Sequence, residues 1–460
     1  MSTVNTLGSD RKQKHEEHNM KLELDSKLHL HGAPEKLVAQ FYAAFTLPNP
    51  EYIAARKAGR YTGHLDPRLY FCQTENRKLT MPRGTANTVW RRAREHGPVE
   101  VEDNRLVLPE IDLTFRGSLR PYQQQAAAGA TESTMSVVEA GTGSGKTVMA
   151  CAIIAARKQP ALVLVHNKEL LHQWCERIEQ FLGVEAGLIG DSQFNVRPVT
   201  VGIVNTVRNR LDELVDRFGH VVVDECHRVP ASMFTETVTA FTARCLLGLS
   251  ATPFRNDGLD SLIGWFVGEH RIQVDMAVLH QVGAVLRPKI VERETDFQYR
   301  YDDDYPQMLK ALTEDQARNE IIVADIRQQA KQGQTSLVVS DRVAHLERLA
   351  ELAGVTGTRI LTGRVSKNER QEIVTDLRAG KVPVILATLQ LIGEGFDCPG
   401  LDSLLITTPV RFSGRLKQVV GRVLRPAEGK IPVVIDYHDS RVGLLSYQAK
   451  CRRRVYRELS

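Results

Sequence analysis

The chain has 460 residues, 42% hydrophobic and 25% charged, with a formal net charge of +5. A chain of this length holds several cores, and no apolar run nears the roughly 18 residues that span a bilayer, which excludes a membrane-spanning protein. Seven cysteines without a CxxC pair argue against a disulfide framework and a zinc site, and they fit a reducing cytosol.

The opening MSTVNTLGSDRKQKHEEHNMK is polar and has no apolar h-region, so residues 1–20 are expected to be a mobile lead-in rather than a secretory signal. A basic module follows, over 21–115. Between Ile53 and Pro98 stand ten basic residues (Arg56, Lys57, Arg60, Arg68, Arg77, Lys78, Arg83, Arg91, Arg92, Arg94) and three acidic ones (Asp66, Glu75, Glu95). With Tyr61, Tyr70, Phe71 and Trp90 interleaved, they have the chemistry to neutralise phosphates and stack on bases. The aromatics are also read as the core of a small α+β domain, and that reading is preferred for them. The basic side chains keep the nucleic-acid role.

From about Leu119, short β-branched runs alternate with amphipathic segments, the pattern of βαβ units around buried parallel sheets. Strands are expected at Met135–Glu139, Ala161–Val165, Val199–Asn205, His220–Val223 and Leu246–Ser250. A second set is expected at Ser336–Ser340, Arg359–Thr362, Val384–Thr388, Ser403–Thr407 and Pro432–Tyr437. Two sheets follow, and the polar TDFQYRYDDD places their link near 285–310. The basic segment from Arg441 to Ser460 reads equally as a phosphate contact or as a solvated helix packed by Leu444, Leu445 and Tyr456.

Glu139 to Thr147 reads EAGTGSGKT, between a strand and the apolar VMACAIIAA. That context makes a P-loop. Gly141, Gly143 and Gly145, with Thr142 and Ser144 between them, let backbone N–H groups curl around a phosphate. Lys146 adds a point charge and Thr147 a Mg²⁺ ligand. HVVVDECH, His220 to His227, is a short strand that delivers two carboxylates to a sheet edge: Asp224 for Mg²⁺ and Glu225 to accept a proton from the attacking water.

Together these residues resemble superfamily 2 DNA helicases, from Leu119 to about Asp436; the AxxGxGK[ST] form of the P-loop is the one that group uses. LRPYQ resembles the adenine-recognition element, with Arg120 and Gln123. Ser250-Ala251-Thr252 resembles motif III, which couples hydrolysis to motion through Ser250 and Thr252. ATLQLIGEGFDCPG resembles motif V, with Gly395 and Asp397 on the nucleotide. QVVGRVLRP resembles motif VI, with Gln418, Arg422 and the arginine finger Arg425. By the same resemblance Asn167, Asn205, Thr206, Ser340, Arg342 and Thr388 meet nucleic acid.

LGLSATPFRNDGLDSLIG is similar to the XPB-like branch, which includes phage UvsW-like enzymes. Where that branch has Arg-Glu-Asp for strand separation, this chain has Arg255-Asn256-Asp257, and the missing Glu leaves the roles of Arg255 and Asp257 open. LPNPEYIAARKAGRYTGHLDPRLYF and MPRG resemble the N-terminal module of its bacterial and phage members.

The resemblance implies an α/β fold: two RecA-like parallel-sheet lobes in tandem, 116–285 and 286–460, preceded by a small α+β domain. It implies an ATP hydrolase using ATP and Mg²⁺, moving on duplex, forked or single-stranded DNA in repair, recombination, mobile-element or defence processes. The enzyme is expected in the cytoplasm at the nucleoid, as a monomer without membrane contact and with possible protein partners in a repair or defence complex. An RNA-directed member of the superfamily, or an ATP-switch subunit of a defence or restriction assembly, stays open beside it.

Overall fold

A computed structural model describes residues 19–75, 78–227, 231–251, 258–393, 400–410, 413–427 and 429–459. The chain divides into two compact units, Met1–Leu106 and Val107–Ser460. Among the described residues no helix is long and apolar enough to cross a membrane.

The first unit is a small α+β domain. Its elements are β1 (Met20–Leu24), β2 (Leu28–His31), α1 (Glu35–Ala44), β3 (Thr46–Pro48), α2 (Pro50–Lys57), β4 (Arg68–Tyr70), β5 (Gln73–Glu75), β6 (Lys78–Met81), α3 (Ala86–Arg94) and β7 (Val99–Asp103). The sheet runs β5-β6-β2-β1-β7, antiparallel except for β1 with β7, and β3 and β4 form a separate hairpin. Alternation fixes the buried face: in MKLEL, Met20, Leu22 and Leu24 are buried while Lys21 and Glu23 are not. Two expectations are corrected here. Tyr61 and Tyr70 lie on the surface and are not core. Arg83 is buried, with Nη1 donating to the Asp25 carbonyl at 3.3 Å, so it braces the interior and is withdrawn from the basic surface.

In the second unit, lobe 1 comprises α4 (Pro121–Thr131), β8 (Met135–Glu139), α5 (Lys146–Arg157), β9 (Ala161–Val165), α6 (Lys168–Leu182), β10 (Gly187–Gly190), β11 (Gln193–Asn195), β12 (Val199–Ile203), α7 (Val204–Arg208), β13 (His220–Val223), α8 (Ala231–Ala240), β14 (Cys245–Ser250), α9 (Ser261–Phe266), β15 (His270–Gln273) and α10 (Met276–Gln281). Its sheet order is β11-β10-β12-β9-β13-β14-β8-β15, parallel except for β11. Central strands such as MSVVE and HVVV are buried on both faces, which is why they show no alternation of apolar and exposed polar positions.

Lobe 2 comprises β16 (Lys289–Glu294), α11 (Tyr305–Glu314), α12 (Gln316–Lys331), β17 (Ser336–Ser340), α13 (Val343–Ala353), β18 (Arg359–Leu361), α14 (Lys367–Arg378), β19 (Val384–Thr388), α15 (Leu389–Gly393), β20 (Ser403–Ile406), α16 (Ser413–Val423), β21 (Val433–His438) and α17 (Gly443–Leu459). Its sheet, β16-β21-β20-β17-β19-β18, is parallel throughout. Both lobes are RecA-like.

The chain passes between the two sheets at 282–288, at the start of the expected link, and the rest of 285–310 belongs to the second lobe. β16 is already an edge strand of the second sheet, paired from Lys289 with Val433 to Glu294 with His438, and Phe297 is buried with Met308 and Leu309. On the basic C-terminal helix, Arg452 is buried on Asp436 at 2.8 Å and Arg453 grips Glu292 with two bonds of 2.7 Å, while Lys450, Arg454 and Arg457 face solvent. The lobes touch. Arg370 of α14 meets Glu169 of α6 at 2.9 Å, and Tyr122 of α4 sits in the same core cluster as Val420 and Leu424.

Candidate active site

Strands β13, β14 and β8 are parallel neighbours, so their C-terminal ends share one sheet edge, where open α/β sheets bind ligands. The DECH residues follow β13, Ser250 ends β14, and the glycine loop follows β8. Gly143 (φ +87°) and Gly145 (φ +83°) occupy the left-handed region that side chains resist, and α5 starts at Lys146. Curled amides at a helix start make an anion site. Lys146 Nζ donates to the Ala140 carbonyl at 3.0 Å, across the loop.

The loop is braced from α4. The Tyr122 hydroxyl and Gln123 Nε2 both donate to the Ser144 carbonyl, at 2.8 and 2.9 Å, and Gln123 Oε1 accepts the Arg120 amide at 2.9 Å. Gln123, expected to read the adenine edge, therefore has both polar ends on protein and supports the loop. Arg120 is exposed at the start of α4.

Asp224 is buried. Its Oδ1 accepts the Glu225 amide at 2.9 Å and its Oδ2 accepts the indole N–H of Trp174 at 2.8 Å. Burial, and then the neighbouring Glu225 carboxylate, push the Asp224 carboxyl up to about 6. Glu225 itself sits at φ +47°, a strained position for a side-chain-bearing residue. Backbone bonds on either side hold it there: the Asp224 amide to the Leu164 carbonyl and the Cys226 amide to the Leu249 carbonyl, each 3.0 Å.

These donors fit Mg²⁺. Thr147 and Asp224 offer hard oxygens, and a divalent cation offsets the crowded carboxylate charge. Among the described residues no group of three or more His, Cys, Asp or Glu side chains could hold a metal ion.

His227 ties the parts together. With its proton on Nδ1, the ring donates to Ser250 Oγ at 2.9 Å and accepts from the Gln418 amide at 3.5 Å; Glu225 Oε2 lies 3.4 Å from Nδ1. Gln418 belongs to α16 of lobe 2, so the carboxylate strand, motif III and motif VI meet at one imidazole. One turn along α16, Gly421 packs on the P-loop itself: a Cβ there would lie 2.6 Å from Thr142 Cβ. Arg422 is one turn beyond Gln418 on the same stripe, and Arg425 lies just past the helix, its carbonyl accepting from Lys430 Nζ at 3.0 Å. Thr252, Arg255, Asp257, Gly395 and Asp397 lie outside the described residues.

The expected nucleic-acid contacts divide. Asn205 and Arg342 are exposed, and Thr206 and Thr388 are half-buried. Asn205 lies in the first turn of α7, where a strand was expected. Asn167 caps α6, its Oδ1 accepting the Leu170 amide at 2.9 Å. Ser340 is corrected: it is fully buried, and its hydroxyl pairs with His345 Nδ1 at 3.0 Å and accepts the Arg342 amide at 3.2 Å, so it is unavailable to a ligand in this conformation.

Trp174, Tyr122 and Glu139 were not foreseen. Glu139, buried at the end of β8, accepts from Arg271 at 3.0 Å and Gln273 at 2.8 Å, fastening β15 to the strand that carries the loop. Trp174 shares the apolar stripe Leu171, Ile178, Leu182, which reads as plain core. Its one available signal was that a buried indole N–H seeks an acceptor.

Residues 116–255 match the family described as "Type III restriction enzyme, res subunit", and residues 317–427 match "Helicase conserved C-terminal domain". The chain is 28% identical over 365 residues to "Probable helicase D10" of Escherichia phage T5, covering 78% of this chain and 79% of that protein. It is 25% identical over 395 residues to "DNA 3'-5' translocase XPB2" of Sulfurisphaera tokodaii, covering 77% and 89%. The helicase domain of Pyrococcus furiosus Hef superposes with a TM-score of 0.50 at 17% identity, covering 72% of this chain and 98% of that one.

Proposed function

We propose that this chain, which belongs to the superfamily 2 helicases and so couples ATP turnover to work on nucleic acid, takes DNA as its track and translocates on or remodels duplex and branched DNA. One observation carries the mechanism: the nucleotide loop of lobe 1 packs against motif VI of lobe 2, Thr142 on Gly421, while His227 meets Gln418. Hydrolytic parts drawn from two lobes act together only when the lobes close. ATP binding then becomes lobe motion, and release reverses it.

In this reading the loop amides and Lys146 hold the β- and γ-phosphates, and Thr147 and Asp224 hold Mg²⁺. The cation, when bound, neutralises charge on the phosphate oxygens. Glu225 orients the attacking water and takes its proton. Arg422 and Arg425 offset charge building on the γ-phosphate, and Ser250 relays the change through His227.

The choice of DNA follows the similarity to a DNA translocase, set against a comparable similarity to a protein named as a putative RNA helicase; the basic first unit and Asn205, Thr206, Arg342 and Thr388 are its backbone contacts. The expected setting is repair, recombination, mobile-element maintenance or defence, in the cytoplasm, with the protein acting as a monomer. The test is an ATPase assay titrated with single-stranded, duplex, forked and RNA substrates at one salt concentration, because such affinities fall steeply with salt. DNA is expected to stimulate turnover and RNA to do so weakly; stimulation by RNA alone would overturn the assignment.

A further inference from the structure

In the first unit Tyr42, on the last turn of α1, and Tyr70, at the end of β4, stack with ring centroids 5.7 Å apart and planes inclined by 30°. Both rings nonetheless stay open to solvent, at 43% and 44% exposure, and Tyr61 nearby in sequence is 81% exposed. The pair is built in place: Thr46 is in register with Tyr70 across the β3–β4 hairpin, and the Thr46 hydroxyl donates to the Tyr42 carbonyl at 2.6 Å. Single exposed apolar side chains are ordinary on a protein surface; two stacked rings left open to solvent also present aromatic faces of the kind on which bases stack.

Beside the pair opens a cavity of about 1370 Å³, with Tyr42, Pro34, Leu47 and Arg68 on its wall and Glu35 as the one acidic side chain among the described residues that line it. Arg68 and Tyr70 are two residues apart on β4 and share a face. Asn49, the cap of α2, donates to the Asp66 carbonyl at 2.7 Å, which ties that helix to the approach to β4. Arg56 and Lys57 end α2, about 12 Å from its start, and Arg60 follows. All four cations are exposed, and among the described residues none of Arg56, Lys57, Arg60 and Arg68 has an ion-pair partner.

We propose that this surface binds an unpaired nucleic-acid strand, with bases stacked on the Tyr42–Tyr70 pair and phosphates on Arg56, Lys57, Arg60 and Arg68. The inference rests on the reading of the chain as a nucleic-acid motor and adds to it a grip outside the ATP-driven lobes. A duplex hides its base faces, so it meets the cations alone. Only an unpaired strand uses the rings as well.

The full chain, as wild type and as the double variants Tyr42→Ala/Tyr70→Ala and Tyr42→Phe/Tyr70→Phe, is titrated at one salt concentration into a labelled single-stranded DNA oligonucleotide and a blunt duplex. The alanine pair is expected to weaken single-strand binding by about tenfold, as loss of base stacking does, and to leave duplex binding nearly unchanged; the phenylalanine pair restores the strand. Unaltered melting of each variant shows that the first unit stays folded.

Should the alanine pair fail to fold, Arg56→Ala/Lys57→Ala is expected to flatten the salt dependence of strand binding by roughly two phosphates' worth. Equal losses on strand and duplex, no loss on the strand, failure of phenylalanine to rescue, or an unmoved salt slope would each overturn the proposal. ATP turnover is read alongside. Lack of stimulation by any nucleic acid in the wild type defeats the motor reading, whereas stimulation with unchanged strand binding in the variants defeats only this surface.

Discussion

The indole N–H of Trp174 donates to Oδ2 of Asp224 at 2.8 Å, and both side chains are buried. Trp174 lies on α6, whose first turn carries Glu169 in an ion pair with Arg370 of lobe 2. One rigid helix therefore touches the opposite lobe at one end and the proposed Mg²⁺ carboxylate about one and a half turns later.

Replacing Trp174 by Phe keeps the ring packing and removes the donor. Leaving a buried carboxylate oxygen short of a partner is expected to cost about 1–3 kcal/mol of stability. With Asp224 less firmly aimed, the Mg²⁺ concentration for half-maximal turnover should rise severalfold while nucleotide binding without Mg²⁺ stays put. A magnesium titration of ATPase activity, set beside equilibrium binding of a fluorescent nucleotide, checks this. An unchanged magnesium requirement would show that Trp174 is only core.

Gly421→Ala probes the contact between the lobes. The new methyl would sit 2.6 Å from Thr142 Cβ and 3.1 Å from its Oγ1 and Cγ2. In a helix, alanine is intrinsically better than glycine by about 1 kcal/mol, so the variant should melt no lower than wild type. Turnover should fall by about tenfold, or roughly 1.4 kcal/mol of barrier, because the lobes no longer close on the loop. Retained turnover with unchanged melting would mean that the Thr142–Gly421 contact does not belong to the hydrolytic state.

Two buried histidines give stability a pH dependence of known sign. His220, under Arg157, is held far below its ordinary value by burial and then by that guanidinium, and burial, then Arg318, pushes His345 down to about 3. Above the unfolded value of 6.5 both states leave these rings neutral. As pH falls below it the unfolded chain takes up protons that the folded chain refuses, down to about 3 in the case of His345, so the stability these rings contribute drains away as pH falls. At pH 5 the His345 ring should cost about 2 kcal/mol, at 1.36 kcal/mol per pH unit, and His220 adds to the loss in the same direction. Urea unfolding at pH 7.5 and pH 5 measures the slope; His345→Gln should flatten it, and an identical slope in the variant would contradict the account.

Much of the active site was legible because its parts are local. The P-loop glycines must bend a short turn between a strand and a helix, and the DECH carboxylates must end a β-branched strand; both demands act within ten residues. What joins those parts is not local. The Trp174–Asp224 bond and the Thr142–Gly421 contact arise from packing between segments 50 and more than 200 positions apart, and neither leaves a mark on periodicity. KIVERE was taken for linker because an edge strand may carry charge on its exposed face. HRIQ at 270–273 was missed as a strand for the same reason. Arg83 looked like surface charge, since an arginine is seldom fully buried. Tyr61 and Tyr70 erred the other way, since aromatics are counted toward a core until an observed surface says otherwise.

The central claim is that Glu225, at the end of β13, activates water for hydrolysis in a site closed by the second lobe. The most direct measurement is ATP turnover by Glu225→Gln with saturating duplex DNA, alongside nucleotide affinity. Loss of a positioned general base predicts a drop of at least about 100-fold in turnover, with ATP affinity close to wild type because Lys146 and the loop amides are untouched. Turnover equal to that of the wild-type enzyme would contradict the assignment of the site.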